Sequence, residues 1–223
     1  MNLEFSREEE RFGSHFKLEQ FLSIRKRGWD ALHAISKQIG AGMTEGEAVI
    51  LAADYLKSMG VEKHWHKINV RFEENTLKPF RDPQTPDTVL HSGDMYYIDI
   101  GPVFDDYEAD VGKAFVVGSN EKLQKLVDAS EEIFRLSQSA WKEKKLSGEA
   151  LYTFMEEEAK KRGYRMIGRH MTGHRLADFP HATYYRGKLA DQGYALSPYA
   201  WVLEVCLVDD SLKRAAFYED LLF

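Results

Sequence analysis

The stretch Gly93-Asp94-Met95-Tyr96-Tyr97-Ile98-Asp99-Ile100-Gly101, followed closely by Ala109-Asp110-Val111-Gly112-Lys113-Ala114-Phe115-Val116-Val117, decides the reading of this chain. Its composition predicts two strands, Met95 to Gly101 and Ala109 to Val117, joined by a short acidic turn around Phe104-Asp105-Asp106-Tyr107. In an antiparallel hairpin with an even number of loop residues, directly opposed positions differ by an odd number and share a face. Asp99 and Asp110, eleven apart, therefore point to one side as direct or diagonal neighbours. Like charges so placed destabilise a hairpin unless something bridges them. A pair of solvated aspartates is the competing reading, and the apolar run Tyr96-Tyr97-Ile98 argues against it.

Working outward, Phe16 to Gly40 reads as a helix whose apolar stripe is Phe21, Ile24, Ala31, Leu32, Ile35 and Ile39, ended by Gly40 and Gly42. Thr44-Glu45-Gly46-Glu47 has the form of a capping box opening a helix to Met59, stopped by Gly60. His64 to Phe72 is strand-like, and Asp82 to Asp87, with Pro83 and Pro86, is a loop. After the hairpin a second helix pair is expected, Asn120 to Lys144 and Gly148 to Arg162, closed by Gly163. Strand-like segments then follow at Tyr164 to Met171, Ala182 to Arg186, Ala200 to Val208 and Arg214 to Phe223. Helix, helix, strands is thus followed by helix, helix, strands, which suggests one α+β domain over residues 1–223 built from two similar units, with 1–15 as an N-terminal extension.

Three further residues join the two aspartates. Glu204 lies within Trp201-Val202-Leu203-Glu204-Val205-Cys206-Leu207-Val208, where a glutamate has to be paired, metal-bound or neutralised. Glu219 lies fifteen later in Phe217-Tyr218-Glu219-Asp220-Leu221; alone it reads equally well as a polar residue on an edge strand. His170, His174 and His181 cluster within twelve residues, and imidazole is both the usual neutral nitrogen ligand and the commonest proton carrier near pH 7. Asp99, Asp110, His174, Glu204 and Glu219 together read as one dinuclear metal site. Burying four carboxylates together is costly because they repel and lose hydration. Two divalent cations cancel that charge. Cys206 alternates with Glu204 on one strand and reads as a buried inert thiol.

Composition excludes much else. At 223 residues the chain can bury a core without staples, and 43% hydrophobic with 30% charged residues is ordinary for a globular protein. A net charge of -6 gives no drive towards nucleic acid or anionic membrane. Met1 to Arg11 lacks the apolar core of a secretory signal, and no stretch approaches the ~20 apolar residues of a membrane helix. A single cysteine excludes an internal disulfide and fits a reducing compartment, so a cytoplasmic protein is expected. No GxSxG elbow, phosphate loop, GxGxxG fingerprint, CxxC or HExxH pair is present.

At these residues the chain resembles the pita-bread metallopeptidases, the methionine aminopeptidase, aminopeptidase P and prolidase superfamily (family M24). The resemblance runs from about Phe16 to Phe223 and is carried by Gly93-Asp94 with Ile98-Asp99-Ile100-Gly101, Ala109-Asp110 with Phe115-Val116-Val117-Gly118, Gly173-His174 with His181, Glu204, and Tyr218-Glu219-Asp220. It implies a curved antiparallel sheet flanked by two pseudo-symmetric helix pairs. It also implies that Asp99 chelates one metal, that Asp110 and Glu219 bridge both, and that His174 and Glu204 complete the other metal's shell. His181 would contact substrate and stabilise the transition state, and His170 matches a pocket histidine of the aminopeptidase P branch. Three departures stand out. The family histidine five residues after an asparagine is replaced, Asn75 being followed at that distance by Phe80; Glu204 is followed by Val205-Cys206 where Pro-Gly is usual; and His174 is followed by Arg175-Leu176-Ala177 where glycines are usual. No counterpart of the large amino-terminal domain of prolidases and aminopeptidase P is expected in it.

The function expected is hydrolysis of an amino-terminal, Xaa-Pro included, peptide bond. Two metals (Mn, Co, Fe or Zn) would hold a bridging hydroxide, Glu204 would accept protons and His181 would donate to the oxyanion. Two alternatives stay open: a non-peptide C–N hydrolase on the same scaffold, and a non-catalytic binding module. The partner expected is a peptide or small amide substrate, with oligomeric state open, a homodimer included.

Overall fold

The computed structural model describes residues 5–176 and 187–223. Two helices open the chain, α1 (Leu18–Ser36) and α2 (Glu45–Ser58), followed by the short strand β1 (Lys63–His64) and by β2 (Asn69–Phe72). The hairpin region contains β3 (Met95–Ile100), β4 (Pro102–Phe104), β5 (Tyr107–Glu108) and β6 (Val111–Val116). The second helix pair is α3 (Glu121–Lys144) and α4 (Gly148–Lys161), and the chain closes with β7 (Arg165–Met166), β8 (Val202–Asp209) and β9 (Arg214–Leu221).

Six strands form one antiparallel sheet in the order β2-β3-β6-β9-β8-β7. The first half of the chain supplies β2, β3 and β6 and the second supplies β9, β8 and β7, so the halves meet between β6 and β9. This is the pita-bread architecture. A small sheet, β1-β4-β5, is appended to one end. Its β4–β5 turn places Asp105 and Asp106 at φ 49° and 65°, a left-handed pair that aspartate tolerates and that matches the twist of a tight hairpin.

Local chemistry explains the helices. The capping box is present: the Thr44 hydroxyl accepts the Glu47 N–H at 3.2 Å and the Glu47 carboxylate accepts the Thr44 N–H at 2.8 Å. Asn120 and Ser147 cap α3 and α4 in the same sense. On α1, Phe21, Ile24, Ala31, Leu32 and Ile35 are buried, and Gly28 abuts Ala109 so closely that a Cβ there would lie 2.8 Å from that of Ala109. The helix is thereby brought down next to Asp110.

Several boundaries differ from those expected. Helix α1 stops at Ser36, because Gln38 N–H turns back to the Ile35 carbonyl; of the two glycines expected to end it, Gly42, at φ +91°, uses glycine's conformational freedom and Gly40 does not. The strand-like run His64 to Phe72 breaks into β1 and β2, which belong to different sheets, with the Trp65 N–H donating to the Gly101 carbonyl at 2.8 Å inside the bend. Tyr164 to Met171 shrinks to β7, since Gly168 at φ +144° turns the chain away. The expected strand Ala182 to Arg186 lies outside the described residues.

Along β3, Met95 and Tyr97 pack into the core beneath α3 and α4, while Tyr96, Ile98 and Ile100 pack against α1 and α2. Asp99 follows the parity of Met95 and Tyr97 and so faces away from the α1–α2 core.

Candidate metal centre

Strand register gathers the carboxylates. Asp99 pairs with Gly112 and Ile100 with Val111, so Asp110 sits diagonally from Asp99, as its spacing requires. Gly112 in turn pairs with Glu219, and Glu219 with Glu204. Gly112 has no room for a side chain: a Cβ would lie 2.3 Å from the Phe217 ring and 3.2 Å from Glu219 Oε2. Gly173 does the same for His174. At φ +114°, its missing Cβ would fall 1.9 Å from the Val202 carbonyl oxygen, and that close approach brings His174 to the start of β8.

Asp99, Asp110 and Glu219 are buried, while Glu204 and His174 are half-buried and open to a cavity of about 430 Å³. His174 Nε2 lies 3.1 Å from Asp110 Oδ2, and its Nδ1 lies 3.2 Å from the Arg175 carbonyl. The cavity walls include Trp65, Phe80 and His170, with Arg81 and Lys188 contributing cationic heads. Phe80 meets the ring of another histidine, His66, edge-on at 5.4 Å.

His66 was not anticipated. Its Nε2 lies 2.9 Å from Asp110 Oδ1 and 3.3 Å from Asp99 Oδ1, and its Nδ1 donates to the Lys67 carbonyl at 2.7 Å. Only the histidine-rich run His64-Trp65-His66 hinted at it, and a predicted continuous strand gave no reason to bend that run into the site. Glu108 was missed too. It precedes Asp110 by two residues, is fully buried, and has no hydrogen-bond partner on either carboxylate oxygen. The spacing of two on a strand was the available signal. His181 lies outside the described residues.

The electrostatics are those of too many acids in one place. Burial, and then the charge of Asp110, raise Asp99 to about 6 although His66 pulls the other way. Burial likewise raises Glu204 to about 7, against the pull of His174 and with the push of Asp99 and Asp110. Glu219 is held well above the usual carboxylate range by burial and by Asp110, Asp99 and Glu204. Burial would raise Asp110 as well, but the two imidazoles on either side hold it low. Burial would depress both histidines, yet the facing carboxylates override it and lift His66 to about 10 and His174 to about 9. Cys206 is fully buried and its thiol is pushed up by burial and by Glu204, as an inert thiol would be.

A divalent metal fits this donor set. Asp110 Oδ2 and Glu219 Oε2 are buried without an aligned hydrogen-bond donor, and such oxygens are costly unless a cation meets them. Two groups of potential ligand atoms lie within 4.8 Å of one another, His66 with Asp99 and Asp110, and Asp110 with His174 and Glu219. Asp110 is common to both.

Comparison with known proteins agrees with this fold. The chain belongs to metallopeptidase family M24, whose model matches residues 24–196; members are peptidase-type hydrolases that depend on metal. Among solved structures it is similar to an X-Pro aminopeptidase from Thermotoga maritima MSB8 (19% identity, TM-score 0.72, covering 91% of this chain and 58% of that one). It is also similar to a prolidase from Pyrococcus furiosus (20% identity, TM-score 0.73, covering 92% and 61%). A methionine aminopeptidase from Thermotoga maritima is similar over almost the whole of both chains (17% identity, TM-score 0.71, covering 94% and 93%). The chain thus spans about three fifths of the length of the X-Pro aminopeptidase and the prolidase. No curated protein sequence matches it significantly. Among the described residues, no helix is long and apolar enough to cross a membrane.

Proposed function

We propose that this protein is a dinuclear-metal hydrolase that cleaves an amino-terminal peptide bond, Xaa-Pro bonds included. The observation that carries the reading is the sharing of Asp110 by two clusters of ligand atoms. One carboxylate touched from both sides by separate donor groups is the arrangement expected of a bridge between two ions. Asp99, Asp110, His174, Glu204 and Glu219 would hold the pair. When bound, such metals polarise a carbonyl and make water a nucleophile near neutral pH.

The remaining work falls to the chain's own residues. Glu204 opens to the cavity, where its carboxylate is placed to accept a proton from the attacking water and return it to the leaving amine. His181 is assigned from sequence to donate a hydrogen bond to the developing oxyanion. His170 lines the cavity beside Met171 and would contact the substrate. A volume of about 430 Å³ lies in the range of small-ligand sites and suits a short peptide end better than a folded chain. Manganese is the first metal to try, because a carboxylate-rich set with imidazole accepts it along with cobalt, iron and zinc.

The test is to load metal-free protein with Mn(II) and offer a panel of short peptides with free or acetylated amino ends, alongside amide and amidine compounds. Release of the first residue from the free-ended peptides alone is expected. Turnover of amides or amidines with none of peptides would overturn the peptidase reading and favour a C–N hydrolase, and no turnover with metal bound would favour a binding module.

A further inference from the structure

Resting on the dinuclear reading above, we propose that His66 is itself a ligand of the metal centre, so that each of the two ions carries one imidazole. The argument begins with the ring's hydrogen bonds. Nδ1 lies 2.7 Å from the Lys67 carbonyl, an oxygen that can only accept, so Nδ1 carries a proton. In the neutral ring Nε2 is then a bare lone pair, and it faces two carboxylate oxygens at 2.9 and 3.3 Å, Asp110 Oδ1 and Asp99 Oδ1. A proton or a metal ion has to sit among these three acceptors, and a bound metal takes the place of the proton on Nε2. Backbone anchoring of the distal nitrogen is how metal-binding histidines have their tautomer and ring orientation fixed.

His174 is arranged in the same way on the other side. Its Nδ1 meets the carbonyl of its own next residue, Arg175, at 3.2 Å, and its Nε2 meets the other oxygen of Asp110 at 3.1 Å. The two histidines thus form a matched pair about Asp110, one on each oxygen.

The fold also builds a seat for His66. Its side chain is only 13% exposed. The bend that carries it is held before it by the pairing of His64 with Pro102, and by the Trp65 N–H bond to Gly101. Gly101 leaves room for the ring, since a Cβ there would sit 2.8 Å from His66 Cδ2 and Nε2. The ring lies edge-on to Phe80, which occupies the position where the sequence comparison missed a histidine. The apolar Phe80 ring closes that side of the imidazole, while Nε2 faces Asp99 and Asp110 on the other.

Cobalt(II) is the probe, because its visible spectrum reports its ligands independently of activity. Metal-free wild-type protein and His66→Ala are titrated with Co(II), with heat and absorption followed together. The wild type is expected to bind two ions per chain. His66→Ala is expected to keep one and to bind the other roughly 100-fold more weakly or worse, since loss of even an outer partner of a metal site costs 10–100-fold, with a changed visible spectrum. If His66→Ala binds both ions with wild-type affinity and spectrum, the proposal is overturned, whatever happens to KM, and the dinuclear reading survives. If the wild type binds none, the reading and the proposal fall together. Should the variant not fold, wild-type protein labelled with ¹⁵N-histidine and loaded with ¹¹³Cd decides the matter. Two imidazole Nε2 atoms coupled to cadmium are expected, and coupling at one alone overturns the proposal.

Discussion

Two buried glutamates from opposite parts of the molecule live under opposite conditions. Glu45, at the start of α2, is completely buried, and its carboxylate accepts the Phe72 N–H at 2.9 Å, Asn75 Nδ2 at 3.0 Å and the Thr85 N–H at 2.9 Å, with the Arg71 guanidinium 3.8 Å away. Glu219, in the middle of the sheet, is equally enclosed, but one of its oxygens has no donor and its neighbours are three more carboxylates. Glu10 belongs with Glu45, since Ser197 and Trp201 satisfy it. Where a carboxylate serves the fold, the chain brings donors to it. Where acids accumulate, the two imidazoles beside Asp110 supply only part of the counter-charge, and that difference separates the candidate metal centre from the merely polar core.

Cutting each side of the comparison gives opposite results. Glu45→Leu strands a buried guanidinium and several donors, so it should cost about 3–5 kcal/mol of stability, the scale for breaking a buried ion pair, and leave metal affinity alone; denaturant unfolding and a metal titration check both. Glu219→Gln should do the reverse. Metal affinity should collapse, peptide hydrolysis should fall roughly 10³-fold or more as several kcal/mol of Lewis-acid stabilisation are lost, and the metal-free fold should hold or gain stability. A large loss of stability in metal-free Glu219→Gln would erase the distinction.

The same contrast has a pH dependence. Asp99, Glu204, His174 and His66 all have folded-state values raised above their ordinary ones, to about 6, 7, 9 and 10. A raised value means that the folded form binds the proton more tightly than the unfolded one. The corresponding stability is fully present below the unfolded value and is lost as pH rises through the folded value. In the presence of chelator the melting temperature should therefore fall across pH 4 to 10, and saturating metal should flatten the slope by replacing those protons. Asp94 has the opposite sign. Burial would raise it, but Arg214 holds it below the usual range, so its stability is present above the unfolded value and lost in acid. Asp94→Asn, which removes a partly exposed pair, is the mildest change, about 1 kcal/mol at neutral pH, and should leave metal binding unaffected.

Which features were legible in the sequence follows from range. The capping box, the helix pairs and the Asp99–Asp110 diagonal depend on residues close in the chain, where period and turn chemistry act directly. Glu204 stood out because an acid in an apolar run has few explanations. Glu219 became legible only beside it, and the register that pairs them confirms their shared address. His66 was hidden because its place depends on a bend between two sheets and on the space left by Gly101, a contact thirty-five residues away. Glu108 was hidden by the assumption of a plain turn where a second hairpin, β4–β5, intervenes.

The central claim, that the crowded acids hold two metal ions that share Asp110, is tested most directly by calorimetric titration of metal-free protein with Mn(II), with Asp110→Asn as control. Two sites per chain in the wild type and none of comparable affinity in the variant are predicted. A wild type that binds no metal, or an Asp110→Asn variant that binds two ions as tightly as before, would contradict it.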